Sequence, residues 1–261
     1  MILNCQKEPI QELKQLADSD RHSVLVEGPA GCGKSYLAKQ YAAMLGISDF
    51  VVINPTVQDI RDSINGSYNI DSPIVLCIEN LDCGVPAASY TILKFLEEPL
   101  SHVYLVVTCR NVHTGVPDTI VSRCACVSMS APVDVDIENY AQVVDAARYE
   151  MMKSTPIWRA VRTFKDVDSV IRFNQSQIDY FNSLQSSLNF SDTVSALAWK
   201  LGHYDDGSET DILFVINYLM CISNSGHVRK HAIQCARELS QSRIAPHAVV
   251  AKFLFYCKYG T

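Results

Sequence analysis

The chain has 261 residues, of which 48% are hydrophobic and 19% charged, with a formal net charge of -6. That balance belongs to a globular chain, and no apolar run approaches the roughly 18–20 residues that a membrane span requires. The surplus acid lies in residues 1–130 and no Lys/Arg stripe crosses the sequence, which argues against a stand-alone nucleic-acid binder.

Met1 to Ile10 has neither an apolar core nor a small-residue cleavage site, so a secretory leader is not expected and a cytoplasmic location is. Ser23–Glu27 predicts a first strand, followed by a glycine-rich turn and a helix over Lys34–Leu45 that stops at Gly46. Phe50–Ile53 predicts a second strand, closed by Asn54-Pro55, and Ile74–Ile78 a third. Ser89–Glu98 predicts a helix ended by Pro99. Val103–Thr108 and Ala125–Met129 predict the fourth and fifth strands. Continuous apolar strands alternating with helices predict an α/β fold whose parallel sheet is covered on both faces. Beyond residue 131 the strand signal fades. Helical spacing covers Asp134–Met152, Pro156–Phe173, Gln177–Leu188, Asp192–Leu201, Thr210–Ser223, His227–Gln241 and Pro246–Tyr256. The aromatic residues Phe214, Tyr218, Phe253, Phe255 and Tyr256 fit a core or a subunit interface better than a base-stacking platform.

The ten cysteines are scattered, with no CxxC pair, and fit free, mostly buried thiols in a reducing compartment. Cys124 and Cys126 stand one residue apart in a predicted strand, which would put both on one face.

The chemistry begins at residues 28–35, Gly28, Pro29, Ala30, Gly31, Cys32, Gly33, Lys34 and Ser35, which fit GxxxxGK[ST] in full. Glycines let the backbone curl so that successive N–H groups point at phosphate oxygens, and the helix that follows opens with a positive dipole end. Lys34 is placed to reach the β- and γ-phosphates, and the Ser35 hydroxyl to coordinate Mg²⁺. An apolar strand before the motif and an amphipathic helix after it make ATP with Mg²⁺ the expected ligand. Such a site needs a second strand ending in carboxylates. The run Ile74–Ile78 supplies Glu79 for the metal's water shell, then Asn80 where a catalytic glutamate is common, and Asp82 two residues on. An amide orients water but cannot take its proton. Two readings follow: ATP is bound and hydrolysed slowly or not at all, or Asp82 replaces the missing base.

The segment Thr91-Ile92-Leu93-Lys94-Phe95-Leu96-Glu97-Glu98-Pro99 resembles the LLKxLEEP signature of the clamp-loader branch of AAA+ proteins, and Ser122-Arg123-Cys124 resembles the Ser-Arg-Cys motif of that branch. The branch includes the gamma, tau and delta-prime subunits of DNA polymerase III and the replication factor C small subunits. The resemblance spans about residues 22–130. It implies a P-loop AAA+ domain over 1–130, a helical lid over 131–188 and a helical collar for oligomerisation over 189–261. It also implies that Arg123 acts in trans on ATP held by a neighbouring subunit, and that Thr108 or Asn111 is the polar residue of the sensor strand. Arg159 and Arg162 are candidates for a lid arginine. The implied partners are sister loader subunits in a ring, a sliding clamp and primer–template DNA within that complex. Two alternatives stay open, a non-hydrolysing stator subunit of the same complex and another AAA+ machine such as a helicase loader. The four-Cys zinc module common in the bacterial subunits has no counterpart here, since residues 47–73 hold no cysteine.

Overall fold

A computed structural model describes residues 3–187 apart from 114, together with 212–222, 230–235, 252, 253 and 255. The chain divides into two units, Met1–Asp136 and Ile137–Thr261.

Unit 1 is built on five strands: β1 (Ser23–Glu27), β2 (Asp49–Ile53), β3 (Ile74–Ile78), β4 (Val103–Cys109) and β5 (Ala125–Ser128). All pair in parallel, in the order β2-β3-β4-β1-β5. The expected sheet is present, and its strand ends lie within one residue of the predicted ones. β3 and β4 are buried along their whole length, as expected of continuous apolar strands covered on both faces. β2 lies at the edge, where Val51 and Val52 are exposed.

Alternation along the strands feeds two cores. Val24, Val26, Val75, Cys77, Tyr104 and Val106 pack with Leu13 of α1 (Asn4–Asp18) and with Leu37, Ala38 and Tyr41 of α2 (Lys34–Met44). Leu25, Leu76, Ile78, Leu105 and Val107 face the other way. They meet α3 (Val57–Ser67), α4 (Pro86–Thr91), α5 (Leu93–Glu97) and α6 (Asp118–Val121) through Ile60, Ala88, Phe95 and Ile120. Parallel strands cannot be joined by a tight hairpin, so the connecting helices lie on the faces of the sheet.

Several elements depart from the sequence reading. α1 and α3 were not foreseen. The N-cap of α1, Leu3, has no capping side chain; its first amides, of Asn4 and Cys5, donate instead to the carboxylate of Asp136 at 2.8 and 3.3 Å. The expected helix over 89–98 begins at Pro86 and breaks into α4 and α5 at Ile92. Cys124 precedes β5 and is buried in the core on the Leu25 side, and Cys126, which pairs with Leu25, lies toward that same face but is exposed, so the expected shared face holds with unequal burial.

Within unit 2, the expected helix over 134–152 forms as α7 (Asp134–Met152), with non-helical backbone at Asp145. The Asp145 carboxylate accepts the Arg148 amide at 2.9 Å, which is the geometry of an N-cap that starts a new helical segment. The single helix expected over 156–173 is instead a short 3-10 turn at Trp158–Ala160, then α8 (Phe164–Ile171). Thr163 and Asp166 form a reciprocal capping box that starts α8 afresh. α9 (Gln175–Ser187) and the helix Ile212–Ile222 lie close to their expected ranges. The helices expected over 192–201, and most of those over 227–241 and 246–256, lie outside the described residues. Phe173, Phe181, Phe214 and Tyr218 form an aromatic cluster with ring centroids 5.0–6.0 Å apart. Phe214, Tyr218 and Phe253 are buried in that core, and Phe255 is exposed.

Leu25 lies fully buried between β4 and β5. Leu25→Ala is expected to lower stability by about 3 kcal/mol through lost transfer energy and a residual cavity, read as a fall in urea midpoint at unchanged slope.

Candidate functional site

Because the strands are parallel and in register, the C-terminal ends of β3, β4 and β1 lie side by side: Ile78 pairs with Val107, and Glu27 with Cys109. β1 connects across the sheet to β2, whereas β4 connects past β1 to β5. The first connection runs through α2 on one face and the second through α6 on the other, and adjacent strands so connected leave a crevice at their C-terminal ends, which is where ligands bind in open α/β sheets. The phosphate-loop motif lies at that point.

The loop leaves β1 still tied to the sheet, since the Gly28 amide donates to the Cys109 carbonyl at 3.1 Å. A Cβ at Gly28 would lie 2.9 Å from the Met129 backbone oxygen and Cβ, so no side chain fits there. Gly31 and Gly33 have φ of 72° and 99°, a backbone region that glycine enters freely. Gly33 is the N-cap of α2, with no side-chain cap and no acid in the first turn, so the first amides of the helix present positive charge. Pro29 and Ala30 are exposed at the loop crest. Cys32 turns its side chain into the core, with Sγ 3.9 Å from Met129 Sδ, and burial pushes its thiol pKa up. Lys34 is 6% exposed, and its Nζ donates to the carbonyls of Gly28 and Pro29, both at 2.8 Å. The ammonium is thereby held over the loop at the mouth of α2. Ser35 follows, half-buried in the first turn.

Beside the loop, Glu79 is half-buried at the end of β3 and donates its amide to Ile53. Thr108 is 1% exposed, and its Oγ1 accepts the amide of Asn80 at 2.9 Å. The two polar positions are therefore one linked unit across β3 and β4. Asn80 has φ 50° and ψ 53°, the left-handed region. Asn is among the few non-glycine residues that enter it at low cost, which gives this position a local reason to hold Asn. Asp82 lies in the 3-10 turn Leu81–Cys83, and its Oδ1 is buried with no hydrogen-bond partner among the described residues. Gly115, with φ 114°, packs directly over it: a Cβ there would lie 3.1 Å from Asp82 Cβ. Burial, Asp82 and Glu27 push the Cys109 thiol pKa up to about 12, opposed by Lys34. One buried thiol thus feels the loop lysine and both carboxylates.

Asn111 follows β4 and makes its hydrogen bond outside this cluster. It is exposed, and its Oδ1 accepts the His113 amide at 2.8 Å, so it shapes its own turn. Arg123 also stands away from the loop's hydrogen-bond network. Its Nη1 donates to Thr119 O and its Nη2 to Glu97 Oε1, each at 2.8 Å. In unit 2, Arg162 Nη1 donates to Val161 O, and Arg159 lies in the 3-10 turn.

Glu27 is a positioning residue that the sequence reading passed over. Its Oε1 accepts the Val112 amide at 3.0 Å and its Oε2 the Ser128 hydroxyl at 3.4 Å, which ties the loop after β4 and the end of β5 to the base of the phosphate loop. The available signal was an acid ending an otherwise apolar strand immediately before the glycines.

Comparison with known proteins bears on this geometry. Residues 49–132 match the family described as DNA polymerase III, delta subunit. That stretch contains β3, the Thr91–Pro99 segment and Ser122-Arg123-Cys124; the phosphate loop precedes it. No curated protein sequence matches the chain. Among solved structures, a DNA polymerase III gamma subunit-related protein of Thermotoga maritima superposes with a TM-score of 0.55 at 14% identity, over 96% of this chain and 98% of that one. The RuvB Holliday junction branch migration motor of the same organism superposes with a TM-score of 0.52 at 16% identity, over 95% and 87%. Together with the five-stranded parallel sheet, these likenesses establish an AAA+ fold.

The left-handed backbone at Asn80 yields a test. Asn80→Ala and Asn80→Glu are each expected to cost about 1 kcal/mol, and Asn80→Gly to cost little, in urea unfolding.

Proposed function

We propose that this chain is an ATP-binding subunit of a ring-shaped AAA+ assembly that loads a sliding clamp onto primer–template DNA. What carries the proposal is one arrangement within unit 1. A complete phosphate loop lies at the switch point of the sheet, and the same unit displays Arg123 at its surface, braced by the glutamate of its LEEP segment.

The loop suits a nucleotide triphosphate. Glycines with positive φ, the crowded Gly28 and the uncapped start of α2 form a backbone cradle that side chains would fill. Lys34 would exchange its two carbonyl acceptors for the β- and γ-phosphates, and Ser35 and Glu79 would hold Mg²⁺, Glu79 through water. The buried orphan oxygen of Asp82 is a further acceptor near these charges. Bound Mg²⁺ would neutralise charge on the phosphates. Thr108 fixes the Asn80 backbone, and the Asn80 amide would orient a water without taking its proton. This supports a subunit that binds ATP and turns it over slowly, with hydrolysis elsewhere in the ring. The unpartnered Asp82 oxygen favours a second reading, in which Asp82 accepts the proton and the site is itself competent. In both readings Arg123 supplies positive charge to the ATP of a neighbouring subunit, where a guanidinium stabilises the transferring phosphoryl group. The helical residues 131–188 would serve as the lid and 189–261 as the collar that joins the subunits. The paired LEEP and Ser-Arg-Cys segments favour the loader over a helicase loader or a branch-migration motor.

Two outcomes test the proposal. Lys34→Ala is expected to abolish ATP binding in an equilibrium titration while leaving the nucleotide-free thermal midpoint unchanged; retained affinity would remove the site. Tagged protein recovered from its native cells in ATP and Mg²⁺ is expected to bring down a sliding clamp and sister AAA+ subunits. In that assembly Arg123→Ala should preserve this chain's own ATP affinity and lower turnover by about 10³-fold or more at the neighbouring site. Full turnover would take Arg123 out of the mechanism, and recovery of a replicative helicase instead of a clamp would sink the loader assignment.

A further inference from the structure

Arg123 uses two of the five guanidinium N–H donors within its own chain. The Thr119 carbonyl, one turn back along α6, takes Nη1, and Glu97, the last residue of α5, takes Nη2. The Arg123 side chain is 35% exposed and that of Glu97 56%. At such exposure an isolated ion pair contributes little to folding stability, because solvent screens the charges. Its effect on orientation is another matter. An arginine carries several rotatable bonds, and a free one at a surface loses that freedom when it meets a phosphate. Acceptors on two different helices fix the plane of this guanidinium and, among the described residues, leave three N–H donors uncommitted.

We infer that Glu97 is a positioning residue for Arg123: it sets the guanidinium in advance for the phosphate of a neighbouring subunit, so that the LEEP segment and the Ser-Arg-Cys segment act as one device. The inference rests on Arg123 acting in trans. It differs from that reading by assigning a role to Glu97, whose carboxylate pairs with Arg123 at the surface. A carboxylate in this place leaves nucleotide affinity alone and changes only how well Arg123 meets charge in the transition state.

The test is a double-mutant cycle in the assembled oligomer, with ATP affinity and single-turnover hydrolysis measured separately. Glu97→Ala is expected to slow turnover about fivefold at unchanged ATP affinity, and to have no effect in an Arg123→Ala background. Glu97→Gln, which keeps an acceptor oxygen without the charge, should fall between wild type and Glu97→Ala; it also serves if Glu97→Ala folds poorly. Glu97→Ala turnover at or above the wild-type rate would overturn the inference, as would an equal loss in both backgrounds. In the chain alone, the Arg123 Nε–Hε resonance should report a restrained guanidinium that Glu97→Ala releases. A restrained guanidinium together with full turnover in Arg123→Ala would refute the trans reading while leaving the Glu97 contact intact; an unrestrained one refutes the contact itself.

Discussion

Parallel pairing is the constraint on which everything else in unit 1 depends. A strand joined to its neighbour by an antiparallel hairpin would deliver its end to the opposite edge. Here each strand finishes at the same edge, and the register sets Gly28, Thr108 and Glu79 beside one another although 80 residues separate the first two. The same pairing buries β3 and β4 on both faces, which is why their sequences are unbroken apolar runs. The side chains that hold the crevice together are second to this. Glu27 braces the loops around it, and Thr108 secures the turn after β3, but both act on strand ends that the sheet has already brought together.

Much of this was legible because it is local. Four- to six-residue runs marked the strands, and the glycine spacing with Lys34 marked the loop. What stayed hidden depends on residues far apart or on backbone angles. α1 contains Pro9 and starts from Leu3, which cannot cap it; Leu13 is fully buried on the sheet side with Ile10, Leu16 and Ala17 partly buried beside it, and its cap is contributed from position 136. α3 shows only Ile60 and Ile64 as buried apolar residues, too few for a periodic signal, although Thr56 does cap it. The breaks at Asp145 and Thr163 were written locally as capping residues, but helical periodicity on either side masked them. In the site, residue types were visible and conformations were not. The left-handed turn at Asn80, the buried orphan oxygen of Asp82 and the different hydrogen-bond partners of Thr108 and Asn111 all needed coordinates.

The stretch after β3 shows why a departure from a family pattern should be weighed with its backbone. Asn in place of Glu reads chemically as a lost base. Structurally it is a residue suited to a positive φ, followed by a 3-10 turn that carries the next carboxylate under Gly115. The two descriptions hold together: a turn that tightens here changes which acid can face the crevice.

The carboxylate of Asp136 has a consequence for how the protein is made. Asn4 and Cys5 leave the ribosome 132 and 131 residues ahead of Asp136, and their amides remain without the acceptor that completes α1 until it has emerged. During synthesis β1 and the phosphate loop are exposed to the cell well before the helix beside them is finished, since contacts of such sequence separation form late. The nascent unit 1 is thus closed by its own last residue, like a clasp fastened at the end of assembly.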